Sequence, residues 1–233
     1  MKVILFGASG MVGQGVLREC LRDTRVSRVL SVGRHGTGQR SEKLQELICR
    51  ELPDLSGVED QLTGLDACFF CLGVSSAGMS EPDYRRVTYD LTVGVAQCLA
   101  RLNPGMTFIY VSGAGTDSTE RGRSMWARVK GATENALLRL PFKAAYMFRP
   151  GVIQPLHGVR SKTRSYRIMY SVLWPLVALM KVVAPNSVTT SERVGRAMIE
   201  AAATGASTKF LGNREINQLA EPSISDKGPS ATP

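Results

Sequence analysis

The sequence has only two histidines, His35 and His157, and no Cys/His cluster near either, so there is little from which to build a zinc site. Its longest uninterrupted apolar run, Ile168 to Met180, is about thirteen residues and falls short of the roughly twenty that a membrane-crossing helix needs. The N-terminus offers one lysine and about four apolar residues before the first glycine, without the h-region and small-residue cleavage site of a secretory signal. Export is therefore not expected, and a cytoplasmic location is. Aromatic residues make up 6% of the chain and are not interleaved with the basic ones, so the formal net charge of +9 reads as general attraction to anions and not as a specific nucleic-acid surface. Five cysteines are an odd number, which with no export signal argues for reduced thiols. Cys68 and Cys71 have CxxC spacing, but ACFFCLG reads as a buried strand in which residues three apart point to opposite faces, so the pair belongs to the core.

What is present is an alternation. Apolar runs of strand length, KVILF, RVLSV, LQELIC, ACFFCL, MTFIYVS and AAYMFRP, recur between segments with helical spacing. The first helical stripe is Val12, Val16, Leu17, Cys20 and Leu21; the longest runs from Pro82 to Leu102, and another follows Ser124. Strand and helix in alternation predict an α/β fold of the Rossmann type, a doubly wound parallel sheet with helices on both faces. The expected organisation is one domain over residues 1–220 with a small substrate cap at about 152–190, followed by a loose tail over 221–233. Within the cap, Arg160, Lys162, Arg164 and Arg167 precede the apolar run, which reads as a helix over the cleft or as a helix resting peripherally on an anionic membrane. A last amphipathic helix starts near Thr190, with Ser191 as its candidate N-cap.

GASGMVG lies between the first strand and the first helix, and that context makes it a dinucleotide-binding turn. Gly7 permits the turn, Gly10 lets a diphosphate approach the backbone, and Gly13 lets helix and strand pack closely; Ser9, Met11 and Val12 complete the cradle at the helix N-terminus. At the end of the second strand, where an acid would bind the ribose of NAD, the chain reads SVGRHG. Arg34 suits a 2′-phosphate, so NADP is expected and NAD is the less favoured cofactor, with His35 and Arg40 as rival contacts.

These residues resemble the extended and atypical short-chain dehydrogenase/reductase superfamily, whose members include epimerase-like, NmrA-like and Tat-interacting-protein-like proteins. The resemblance runs from Met1 to about Ala203. It implies that Leu72 and Gly73 pass the adenosine ribose, that Asp54 approaches the adenine, that Val111 and Ser112 end the fifth strand with the family serine, and that Arg149, Pro150 and Val152 of RPGVI lie along the nicotinamide. It also implies catalysis by YxxxK. The matching stretch here is MWARVKGATENAL, in which Lys130 is present and Trp126 stands in the tyrosine position. An indole N–H donates but does not ionise usefully, so it cannot replace a phenol in proton transfer. With Ser112, Lys130 and Trp126 as the candidate catalytic set, three readings stand open. Tyr110, Tyr166 or Tyr170 supplies the proton; water supplies it while Ser112 and Lys130 polarise a carbonyl or alcohol substrate; or the protein binds NADP without turnover as a regulatory or redox-sensing module. A nucleotide-sugar epimerase or dehydratase is a further alternative. The partners expected are a small-molecule substrate or none, and a second copy of the chain, since the superfamily often pairs through the helices after Pro82 and Ser124.

Overall fold

The computed structural model describes residues 1–49, 55–157 and 187–221. Seven parallel strands form the main sheet: β1 (Lys2–Phe6), β2 (Arg28–Gly33), β3 (Leu44–Ile48), β4 (Ala67–Phe70), β5 (Thr107–Val111), β6 (Ala144–Phe148) and β9 (Phe210–Leu211), in the spatial order β3-β2-β1-β4-β5-β6-β9. Two more, β7 (Val152–Gln154) and β8 (Val188–Thr190), pair in parallel as a separate ribbon. The helices are α1 (Met11–Arg22), α2 (Glu81–Arg85), α3 (Leu91–Leu102), α4 (Met125–Leu137), α5 (Ser191–Thr204) and α6 (Asn213–Leu219). This is the doubly wound Rossmann-type architecture that the alternation predicts.

The six apolar runs become β1 to β6. Their lack of alternation has a cause: Val3, Ile4, Leu5 and Phe6 are all fully buried, because helices cover both faces of the central strands. Odd and even residues then serve two cores. Val3, Leu5, Val29, Phe69 and Ile109 meet Val16, Leu17 and Cys20 of α1 and Met198 of α5, whereas Ile4, Phe6, Leu30, Phe70 and Phe108 meet Val95 and Leu99 of α3. Cys68 joins the second cluster and Cys71 packs against the first, so the CxxC pair does straddle the sheet. All five cysteines are free thiols, and burial pushes those of Cys20, Cys68 and Cys71 up, away from reactivity. Among the described residues no helix is long and apolar enough to cross a membrane.

Two details differ from the sequence reading. The long helix from Pro82 to Leu102 is interrupted by a π turn over Arg86–Asp90. The N-cap of α5 is Thr190, whose hydroxyl accepts from the Arg193 N–H at 3.0 Å. Ser191 instead accepts from the Leu156 N–H at 3.2 Å and packs on Gly15 of α1. Residues 158–186 and 222–233, which hold most of the expected cap and nearly all of the expected tail, lie outside the described residues.

Helices α1 and α5 cross closely, with Gly15 of α1 facing Ser191 and Gly195 of α5 facing Val16 and Glu19. A Cβ on Gly15 would lie 2.6 Å from the Ser191 carbonyl oxygen, whereas a Cβ on Gly94, exposed inside α3, would meet nothing within 4 Å. Gly15→Ala is expected to lower unfolding free energy by about 1–3 kcal/mol. Gly94→Ala should raise it by about 0.5–1 kcal/mol, since alanine loses less backbone entropy in a helix. Denaturant titration of both variants against the parent checks the contrast.

Candidate functional site

The strand order reverses between β1 and β4, and the crevice outside the carboxyl ends of the strands opens at that point. The glycine turn sits there. Gly7 adopts φ +83°, and a Cβ on it would lie 2.6 Å from the Leu72 nitrogen. A Cβ on Gly13 would stand 2.0 Å from the Gly7 carbonyl oxygen, so the first turn of α1 rests directly on the end of β1. That same carbonyl accepts from the Gly10 N–H at 2.9 Å. Gly10 is the N-cap and carries no capping side chain, and the first turn of α1 has no acidic residue. The amides of Met11, Val12 and Gly13, which a helix leaves without intrahelical partners, are thus free of a side-chain cap and carry the positive end of the helix dipole. The Gln14 side-chain amide donates to the Ser9 carbonyl at 3.0 Å and steadies the loop. Across the turn, Gly73 is exposed with open space around it. The cradle therefore fits a dinucleotide diphosphate in shape and in charge.

At the tip of β2, the exposed Arg34, His35 and Gly36 line an open depression of about 460 Å³ together with Ile48 at the end of β3. No acid stands on the strand tip, as the sequence reading holds. One reaches the loop from the side: Glu46 of β3 accepts from the Thr37 N–H at 2.6 Å. Sequence reasoning missed Glu46 and Ile48 because their place depends on the β2–β3 register, which pairs Ser31 with Glu46. Asp54 lies outside the described residues.

Beside the end of β5, Ser112 is bonded into the interior. Ser112 is buried, and its hydroxyl donates to Glu134 Oε1 at 2.5 Å, while its N–H donates to the Phe148 carbonyl at 2.9 Å. Its proton is thus given to a carboxylate, the partner that a substrate oxygen would have to replace. Glu134 is fully buried; besides Ser112 it takes two N–H groups of Arg149, Nε at 3.0 Å to Oε1 and Nη2 to Oε2. Arg149 also lies over the ring of Phe210 at 4.5 Å and donates to the Ser118 hydroxyl. Its guanidinium is a brace between α4, β6 and β9. Its neighbours contribute differently: the Pro150 carbonyl accepts from the Ala114 N–H at 2.9 Å, Val152 starts β7, and the half-buried Val111 packs on the first core. The first exposed positions past Ser112 are Ala114 and Gly115, neither of which carries a hydroxyl; the exposed hydroxyls of the loop follow at Ser118, Thr119 and Ser124.

Lys130 points at the same place from α4. Its ammonium donates to the Ser112 carbonyl, and burial lowers its pKa to about 8, with the Glu134 charge opposing that fall. Trp126, one turn earlier, is half-buried with its indole edge close to Gly115, where an added Cβ would lie 3.4 Å from the ring. Tyr110 is eliminated as a proton donor: it sits in the second core, and burial pushes its phenol far above the usual range. Tyr166 and Tyr170 lie outside the described residues. Glu134 was the residue to find. Its signal is its spacing, four positions after Lys130 and so on the same helix face.

The charge coupling between Glu134 and Lys130 is directly measurable. Following the side-chain resonances of Lys130 by NMR should give a titration midpoint near pH 8. In Glu134→Gln the opposing charge is gone, so the cation loses support and the midpoint moves to lower pH. An unchanged midpoint contradicts the coupling.

No family model matches the chain. Among curated proteins, it is 27% identical over 166 residues to Protein FMP52-2, mitochondrial, of Scheffersomyces stipitis, a stretch covering 69% of each chain. It is 28% identical over 154 residues to Protein HTATIP2 of Rattus norvegicus, covering 65% of this chain and 62% of the rat protein. Similar solved structures include MoeE5 in complex with UDP-glucose and NAD, with a TM-score of 0.64 and 19% identity over 91% of this chain and 75% of the other. The Bordetella bronchiseptica enzyme WbmH in complex with NAD+ gives 0.63 and 16% over 91% and 74%. The oxidoreductase ylbE from Lactococcus lactis gives 0.64 and 14% over 94% and 95%. These relatives overturn the cytoplasmic expectation, since the FMP52 proteins are mitochondrial by name. The lack of a secretory signal speaks to one route only. Turn and strand order agree with these likenesses, and the chain carries a Rossmann-type α/β fold, the fold of the NAD-bound structures that it resembles.

Proposed function

We propose that this chain binds NADP in preference to NAD at the carboxyl ends of β1, β2, β4 and β5, and that it works as a regulatory or redox-sensing module without tyrosine-dependent carbonyl reduction. Gly7, Ser9, Gly10, Met11, Val12 and Gly13 seat the diphosphate on the α1 amides. Arg34 faces the 2′-phosphate with its planar fork, and Leu72 and Gly73 bound the adenosine ribose. Lys130, cationic below about pH 8, stands where it can hold ribose hydroxyls.

One observation carries the reading: the cradle is intact while the proton-transfer groups beside it are not. Trp126 occupies the tyrosine position, and the Ser112 hydroxyl is bonded to the buried Glu134 at 2.5 Å. When bound, the nicotinamide supplies a hydride; the matching proton comes neither from position 126, which is tryptophan, nor from Tyr110, which lies in the second core. A second reading has one observation in its favour. An ammonium with a pKa near 8 is itself a usable acid at neutral pH, so an oxidoreductase could draw its proton from Lys130.

Calorimetric titration should give tighter binding of NADPH than of NADH by about tenfold or more. Arg34→Ala should erase most of that preference, the loss expected for charge-assisted hydrogen bonds worth roughly 1.5–3 kcal/mol. Equal affinities in the parent contradict the NADP assignment. With NADPH bound and a panel of aldehydes, ketones and quinones present, the cofactor absorbance should stay constant. Steady decay in the parent that vanishes in Lys130→Met supports the second reading and refutes the silent module.

A further inference from the structure

A second hollow lies at the amino ends of the strands, at the other end of the sheet from the glycine turn. It encloses about 340 Å³ between the start of β6 and residues 206–209, which lead into β9. Ligand sites usually measure roughly 300–1,000 Å³, so this one suits a small molecule. Its floor is apolar: Leu138, Leu140, Phe142 and Ala145 line it, half-buried and continuous with the second core. Two alanines, Ala144 and Ala145, open β6 and leave the space.

The backbone contributes as well. β9 pairs only with Met147 and Phe148, so the first half of β6 has no neighbouring strand on that side. The N–H groups of Met147 and Arg149 donate toward β9, to the Lys209 and Leu211 carbonyls at 2.7 Å each, whereas the Phe148 carbonyl turns the other way and accepts from Ser112. Ala145, two residues before Met147, therefore presents its N–H and carbonyl to the hollow, with no backbone partner there. The walls are already formed. The Tyr146 hydroxyl accepts from the Ala206 N–H at 3.1 Å, Gly205 turns at φ +90°, and Phe142 stacks on Phe108 with ring centroids 4.9 Å apart.

Charge selects the ligand. Lys143 and Lys209, both exposed, line the hollow, and neither forms an ion pair among the described residues. The lining contains no carboxylate. We propose that this hollow binds a small amphipathic carboxylate, an aliphatic or aromatic body on the Leu138–Phe142 floor with its anionic head between the two lysines and the Ala145 N–H. An added peptide strand fits less well, because only one residue of the β6 edge is free before residues 206–209 close the side. The site is independent of the cofactor reading and involves none of its residues.

The test uses the full chain and octanoate as the probe. Calorimetry should show saturable binding at one site, with octanol, which has the same body without the charge, binding at least about tenfold more weakly. The double variant Lys143→Gln, Lys209→Gln should lose a similar factor, and Ser207→Trp, an exposed position on the rim, should block binding by filling the space. In both variants NADPH affinity and thermal unfolding should match the parent. Lack of saturable octanoate binding at millimolar concentration, equal binding by octanol, or equal binding by the double variant each overturns the proposal.

Discussion

Two backbones touching depend on glycine here, and most of the molecule is arranged around that contact. The first turn of α1 rests against the Gly7 carbonyl at a separation that leaves no room for a methyl group on Gly13, and Gly7 itself is pressed against the Leu72 nitrogen of the neighbouring strand end. The orientation of α1 follows. Once α1 is fixed, Gly15 and Gly195 let α5 cross it closely, and Ser191 at the head of α5 holds the Leu156 amide just beyond β7. A single steric constraint at the N-terminus thus reaches the ribbon of β7 and β8.

The polar counterpart is the buried Glu134. A carboxylate with no exposure is costly unless both its oxygens are hydrogen-bonded, and here a serine hydroxyl and two guanidinium N–H groups serve the two. The network ties α4, β5, β6 and β9 together behind the cleft and leaves Lys130 at its edge. It also gives the Ser112 hydroxyl a structural role, the tie to α4, that does not depend on which residue stands at position 126.

The fold was largely legible because strands buried on both faces write themselves as apolar runs, and β1, β2, β4 and β5 do so, whereas β3, half-exposed at the sheet edge, was read from its place in the alternation. The ribbon and β9 were not. With two or three residues each, they have no period to recognise, and they are held in place by contacts from elsewhere, such as the Asn213 and Asn217 amides on the Ser187 and Val188 carbonyls. The glycine turn could be read because glycine chemistry is local. The direction of the Ser112 hydroxyl could not, since it is set by a residue 22 positions away. Glu46 and Arg149 follow the same rule: each is placed by a register or an ion pair between elements. Trp126 was visible at once, because a substitution within a spaced motif needs no tertiary knowledge.

The central claim is that the α1 amides receive a diphosphate. Amide-resolved NMR during titration with NADPH tests it most directly: Gly10, Met11, Val12 and Gly13 should shift together and saturate with the Arg34 side-chain signal. Perturbations confined to other parts of the sheet, or none at saturating cofactor, would contradict the account.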